Sequence, residues 1–370
     1  MKDIFSKIDK NSLIQTFIRL VRIESPSYGE KRMIGHVIKA LKKQKLKAGL
    51  QRNEGSGNIV ACLKGQKKRP PLFFNAHLDT VEPCRNVKPV ITDKLIRSDG
   101  STILGADDKS ALAIFLEGIR YIRKYKILCP DIYFILTYAE EQGLVGAKNL
   151  DFRSIRPKYG FSFDSGGSIG RVILAAPTHY QYKIMVRGKA AHAGIEPEKG
   201  ISAIKIASEL VREIRTGRID GETTANIGRF NGGIATNIVP ENVVMEGEVR
   251  SRDRQKTSRY IRDLRKLVSR ISAKFKVRIH FQLTHAYDQY QFREDSFLVR
   301  KFSQSCVSIG LKPVFERSNG GSDANILNQN GFQCLNCSVG MSDVHSTGEY
   351  IRIKDLVLGL KLFLSLIINW

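Results

Sequence analysis

Apolar positions recur with two different periods along the chain, and the change from one to the other divides it. Residues 11–24 carry Leu13, Ile14, Phe17, Ile18 and Val21, and residues 29–48 carry Met33, Ile34, Val37, Ile38 and Leu41. This three-and-four spacing gives each segment one apolar helical face. Asn11 and Ser27 stand where caps would begin the two helices. Short apolar runs bounded by Gly or Pro predict strands at 58–63 and 72–76. A helix at 109–124 and strands at 132–138 and 159–163 follow, the last running into Asp164-Ser-Gly-Gly167. Strands alternating with long helices predict an α/β domain with a mixed, largely parallel central sheet. In such sheets ligands bind off the carboxyl ends of the strands.

From about Pro177 a period of two takes over. Strands are expected at 179–187, 224–230, 243–250 and 277–283, with helices at 201–216 and 258–275. This β-α-β-β-α-β order is that of a ferredoxin-like unit. Residues 177–287 therefore read as a second, α+β domain inserted into a first one made of 1–176 and 288–370. The first resumes with a helix at 296–309, the loop Asn319-Gly-Gly-Ser-Asp323, a strand near Cys334 and a terminal helix. That last helix is the most apolar segment, but it is shorter than a membrane span and broken by Lys361, so it is expected to pack in a core.

At 370 residues the chain exceeds what one core supports, which agrees with two domains. Hydrophobic residues at 42% and charged residues at 26% describe a soluble globular protein. Lysines and arginines number 60 against 36 acids, a net charge of +24. They are spread over helical faces, such as Lys39 to Lys47 and Arg252 to Arg270, without a basic tail or interleaved aromatics, so no specific nucleic-acid partner is expected. The first residues lack the apolar core of a signal peptide, and six cysteines show no disulfide rhythm, so a cytoplasmic protein with reduced thiols is expected. Cys334 and Cys337 have no second pair with which to complete a zinc site and read as buried strand residues.

The candidate chemistry lies in five separated motifs. In Asn75-Ala-His-Leu-Asp79 an extended backbone turns His77 and Asp79 the same way, so that Asp79 can orient one imidazole nitrogen while the other binds a metal. Asp107 and Asp108 open the 109–124 helix, where a carboxylate is favoured by the unpaired N–H groups of the first turn. Glu140 and Glu141 follow a strand directly, and unpaired charge there is costly. Asp164 leaves a strand through two glycines. His345 stands near the end of the chain. Two histidines and three carboxylates suit a pair of Zn2+ ions sharing one carboxylate, with a remaining glutamate as general base.

Taken in this order, and with Gly188-Lys-Ala-Ala-His-Ala-Gly194 in the inserted domain, the motifs resemble the M20 family of di-zinc metallopeptidases over nearly the whole chain. Gly105-Ala-Asp-Asp-Lys-Ser110, Asn319-Gly-Gly-Ser-Asp-Ala-Asn325 and Val344-His-Ser-Thr-Gly-Glu349 are most similar to the peptidase T-like branch. The resemblance implies a zinc-exopeptidase domain of the phosphorylase/hydrolase-like type with an inserted lid that pairs two subunits. It implies that Asp107 bridges two Zn2+, or Co2+ or Mn2+, with His77 and Asp164 on one ion and Glu141 and His345 on the other. Glu140 would then be the general base and Asp79 the residue orienting His77, and the Asp107–Asp108 peptide would be cis. His192 would stabilise an oxyanion, in many members from the partner subunit of a homodimer. Asn237 and Arg250 are candidates for substrate contact, with a structural salt bridge as the other reading of Arg250. The backbone N–H groups of the Asn319–Asp323 loop, at Gly321, offer a site for a substrate carboxylate or carbonyl, with a glycine turn and helix cap as the alternative. Peptidase T carries Arg where this chain has Asn319, which leaves tripeptide preference open. The leading expectation is an aminopeptidase for short peptides. A deacylase or carboxypeptidase with the same chemistry, and a non-catalytic binding protein on the same fold, are the alternatives.

Overall fold

The computed structural model describes residues 2–53 and 55–370, and these divide into two compact units. The first comprises the chain up to Leu174 with Gln291–Arg317 and Ser322–Trp370, and the second comprises Ala175–Tyr290 with Ser318–Gly321. Helices α1 (Lys2–Ser6), α2 (Lys10–Val21) and α3 (Lys31–Lys43) open the chain. Their caps differ from the expected ones. Asp9 caps α2 by accepting the Ser12 N–H at 3.0 Å, and Asn11 lies inside the helix. Helix α3 starts after Glu30, and Ser27 instead donates its hydroxyl to Asp79 at 2.7 Å. Apolar periodicity locates the buried turns and misses the polar first turn, so the true boundaries fall outside its reach. The expected helix to residue 48 stops at Lys43. Lys45 turns the chain with a left-handed φ of 61°, and β1 (Lys47–Asn53) pairs antiparallel with β2 (Ser56–Leu63).

The first unit continues through β3 (Leu72–His77), β4 (Pro89–Ile91), β5 (Leu95–Ser98), α4 (Ala106–Lys124), β6 (Ile132–Thr137), α5 (Val145–Lys148), β7 (Tyr159–Ser165) and β8 (Arg171–Ala176). The second contains β9 (Thr178–Arg187), α6 (Ala203–Glu213), β10 (Gly217–Arg218), β11 (Thr223–Gly232), β12 (Asn242–Ser251), α7 (Arg254–Phe275) and β13 (Arg278–Tyr287). After it come β14 (Tyr290–Gln291), α8 (Phe297–Ser308), β15 (Val314–Arg317), α9 (Asp323–Gln329), β16 (Gln333–Ser338), β17 (Met341–Ser342), β18 (Tyr350–Arg352) and α10 (Ile353–Ile368).

The large sheet runs β1-β2-β6-β3-β7-β16-β8-β14, with β15 also on β8. Its four middle strands, β6, β3, β7 and β16, are parallel, and β2 and β8 flank them antiparallel. This is the mixed α/β sheet that the sequence predicts. Side chains alternate across it: Phe74 of β3 enters an aromatic cluster with Phe115, Phe134, Phe161, Phe163 and Phe363, while its neighbours Phe73 and Asn75 face the other way. The Phe363 ring of α10 lies 4.5 Å from that of Phe74 and fills the space where a side chain on Gly118 of α4 would stand. The terminal helix therefore packs into the core. Replacing Phe363 by alanine is expected to cost about 3–5 kcal/mol, read as a fall in the denaturation midpoint of this unit.

In the second unit the strand order β10-β11-β12-β9-β13, antiparallel throughout, is ferredoxin-like. Tyr182, Ile184 and Val186 alternate inward from β9 and meet Ile206 and Leu210 of α6 and Leu264, Val268 and Ile271 of α7. A third, four-stranded sheet, β17-β18-β5-β4, belongs to the first unit and has no counterpart in the sequence reading. Among the described residues no helix is long and apolar enough to cross a membrane, and all six cysteines are free.

Candidate metal centre and active site

The end of β3 delivers a buried histidine. His77 Nδ1 lies 3.0 Å from the Asp79 carbonyl oxygen and 3.4 Å from Asp79 Oδ1. Both partners are acceptors, which places a proton on Nδ1 and leaves Nε2 as the nitrogen available to a cation. Nε2 is 2.9 Å from Asp107 Oδ1 and 3.8 Å from Asp164 Oδ1. The Asp79 carboxylate also accepts the N–H groups of Glu140 at 3.0 Å and Glu141 at 3.3 Å and the Ser27 hydroxyl. One buried carboxylate thus fixes the imidazole and the turn that carries both glutamates. Burial alone would raise the Asp79 carboxyl, but the His77, Ser27 and Glu140 contacts outweigh it and hold it below the usual range.

Asp107 stands where α4 begins. Gly105 before it takes a left-handed φ of 77°, and the Asp107–Asp108 peptide is cis. The two oxygens of Asp107 face different histidines: Oδ1 faces His77, and Oδ2 lies 3.4 Å from His345 Nε2. Asp108 is fully buried; among the described residues it meets only the His77 N–H, at 3.4 Å through Oδ2, and its Oδ1 has no partner. Glu140 and Glu141 follow Ala139, whose φ is +44° and whose N–H is held by Glu30 at 2.9 Å. Glu141 Oε1 reaches His345 Nε2 at 2.9 Å. Asp164 closes β7, with its N–H and carbonyl both held by the Asn336 carboxamide. His345 itself has a φ of +61°, an uncommon conformation for a residue with a side chain. Left-handed residues that carry a side chain, Ala139 and His345, thus occur at two of the turns that present charge to the cluster, where local strain commonly accompanies a functional geometry.

Ligand atoms of His77, Asp107 and Asp164 lie within 4.8 Å of one another, as do those of Asp107, Glu141 and His345, and the two groups share Asp107. A third convergence joins His77, Glu140 and Glu141. Burial and mutual repulsion push the carboxyls of Glu140 and Asp164 well above their usual range, and Asp323 is raised as well. His345 is raised to about 10 by Asp107 and Glu141. So many buried acids around two imidazoles call for positive charge, and a nitrogen-and-carboxylate donor set suits Zn2+ or a similar divalent ion. The residues present fit a two-ion site.

The remaining candidates lie in the second unit, in two groups. Residues 191–193 run beside 237–239, with the Ala193 N–H donated to the Asn237 carbonyl at 2.9 Å, so His192 and Asn237 are neighbours and both are exposed. The N–H groups of Gly194 and Ile195 point at His192 Nδ1 at 3.2 and 3.1 Å, which assigns its proton to Nε2. Arg250 forms a two-pronged pair with Glu248, at 2.9 and 3.0 Å, and Glu248 also meets His179. Gly321 packs against the Tyr287 ring, which leaves no room for a side chain. Asn319 accepts a hydrogen bond from Arg252 through its carboxamide oxygen.

Several supporting residues escape the sequence reading. Ser27 and Glu30 have no motif of their own. Asp323 accepts from Asn75 and Thr137 beneath the cluster. Glu349 accepts the N–H groups of Gly105 and Asp107. Asp323 and Glu349 both lie in segments on which the resemblance rests, and that placement is the signal in the sequence that marks them.

Residues 177–276 match the M20 peptidase dimerisation domain, and residues 58–195 match peptidase family M28. The uncharacterized protein YqjE of Bacillus subtilis is 37% identical, over 95% of this chain and 96% of its own length. The crystal structure of aminopeptidase PepT from Bacillus cereus aligns with a TM-score of 0.90 and 36% identity, over 98% of this chain and 99% of that one. The chain belongs to the M20 peptidases, in their peptidase T-like branch. A tripeptidase from Staphylococcus aureus gives a TM-score of 0.93 at 32% identity, over 98% of both chains. As an M20 peptidase T-like protein the chain is a metallopeptidase, and its matched dimerisation domain points to a homodimer.

Proposed function

We propose that this M20 peptidase is a di-zinc aminopeptidase that removes the N-terminal residue from short peptides such as tripeptides. The observation that carries the reading is the Asp107 carboxylate, which turns one oxygen to His77 and the other to His345. In this assignment His77 and Asp164 complete one ion site, Glu141 and His345 the other, and Asp107 serves both. Two such ions, when bound, polarise the scissile carbonyl and make water acidic enough to attack near neutral pH. Asp79 keeps His77 in one tautomer and orientation. Glu140, whose carboxylate converges with His77 and Glu141, takes the proton from the attacking water and returns it to the leaving amine.

His192 offers its Nε2–H to the oxyanion of the tetrahedral intermediate. Strand β9 pairs His179 with Arg250 near its start and Arg187 with Asn242 at its end. His192 and Asn237 lie beyond the end of this sheet opposite Arg250, an end roughly 26 Å from Arg250 at about 3.3 Å per residue. A tripeptide spans about 10 Å and cannot touch both groups in one chain. Two copies joined through the dimerisation domain let His192 of one serve the site of the other.

The B. cereus aminopeptidase and the S. aureus tripeptidase support the aminopeptidase reading over a deacylase or carboxypeptidase. Incubation with an unblocked tripeptide and its N-acetylated twin tests it: release of the first residue from the unblocked peptide alone is expected, and turnover of only the blocked form would overturn it. Metal analysis of chelator-free protein is expected to give two divalent ions per chain, and fewer than one would sink the assignment.

A further inference from the structure

We propose that Glu349 is a positioning residue that holds Asp107 in register with His345. The inference rests on the two-ion reading given above. Glu349 is buried, at 1% exposure, at the entry to β18. Its Oε2 accepts the Gly105 N–H at 2.6 Å and its Oε1 accepts the Asp107 N–H at 2.9 Å. N–H groups at a helix start have no partner within the helix, so a carboxylate that takes two of them fixes the backbone there.

The other end of the clamp is equally fixed. The Glu349 N–H closes the turn that directly follows His345 by bonding the Ser346 carbonyl at 3.1 Å. The next residues, Tyr350 and Ile351, pair with Arg97 and Ile96 of β5, the strand that leads into the Asp107 loop. The Asp107 side chain itself meets only His77 and His345 among the described residues. Its direction is therefore set by its backbone, and Glu349 holds that backbone. The nearby cation does not share the task, because Lys109 Nζ donates to the Ile23 carbonyl at 2.8 Å. Glutamine at 349 would keep the size of the side chain but turn an NH2 group toward one of the two N–H donors. Aspartate would keep the charge and fall about 1.5 Å short.

The test compares the parent chain with Glu349→Gln and Glu349→Asp. Zn2+ titration against a chelator is expected to show at least one of the two ions held about 10–100-fold more weakly in both variants. In metal-free protein, hydrogen exchange across residues 99–109 is expected to quicken in both. With excess Zn2+ the tripeptide kcat of the variants should recover toward the parent value, with KM little changed. Equal Zn2+ affinity in parent and variants, or a lower denaturation midpoint with unchanged affinity, would overturn the proposal and leave Glu349 a brace of the fold. Failure of the two-ion reading would show separately, as uptake of fewer than two ions by the parent.

Discussion

Replacing Glu140 by glutamine is expected to lower kcat by about 10²–10⁴-fold, the usual contribution of a general base. That loss corresponds to roughly 3–5 kcal/mol of transition-state stabilisation. The backbone of Glu140 is held by Asp79, so the turn should keep its shape without the charge. Uptake of two ions is expected to survive, because neither group that shares Asp107 uses Glu140. The cluster does offer a rival role, since His77, Glu140 and Glu141 also converge. If Glu140 were a ligand, its replacement would release metal together with activity. Metal content and single-turnover rate, measured on the same Glu140→Gln sample, separate the two roles. Glu141→Gln is the control: Glu141 touches His345 at 2.9 Å, and its loss is expected to weaken metal binding first and turnover as a consequence.

The parts of this fold that were legible are those where burial imposes a period. Strands β3, β6 and β7 are buried almost throughout and lie between breakers, and the residues at or just past their carboxyl ends, His77 and Asp79, Glu140 and Glu141, and Asp164, meet because parallel strands end together. The inserted unit was legible through the alternation of β9 and the apolar faces of α6 and α7. What escaped has a different physical cause. The sheet β17-β18-β5-β4 is built from strands of two to four residues, too short to show any period, yet it seats the His345 turn beside the Asp107 loop. Ser27 contacts Asp79 across 52 positions, Glu30 contacts Ala139 across 109, and Glu349 contacts Gly105 across 244. Such contacts follow from topology and leave no local trace. The helix caps failed for a related reason: Asp9 and Glu30 precede the first apolar residue by a turn or nearly so, and Ser27 serves the site.

Exchange of Asp107 for asparagine is expected to weaken both ions at once, by at least about 10²-fold each, and to abolish turnover at ordinary metal concentrations. The lower bound is the upper end of what losing a supporting partner costs a metal site, and Asp107 is placed as a direct ligand. An asparagine offers one oxygen and one NH2, so it can present a ligand oxygen on the His77 side or on the His345 side, but not on both. The adjacent carboxylate supplies the contrast. Asp108→Asn is expected to leave uptake within about tenfold of the parent, because among the described residues Asp108 touches only the His77 N–H, and it belongs to neither group of converging ligands. Both residues are acidic and buried at the start of the same helix, so general loss of negative charge near the ions would affect them alike. A difference between the two variants in calorimetric Zn2+ titration therefore isolates ligation from charge. Equal weakening would mean that the pair acts as an electrostatic patch, and the assignment of Asp107 as the shared ligand would fall.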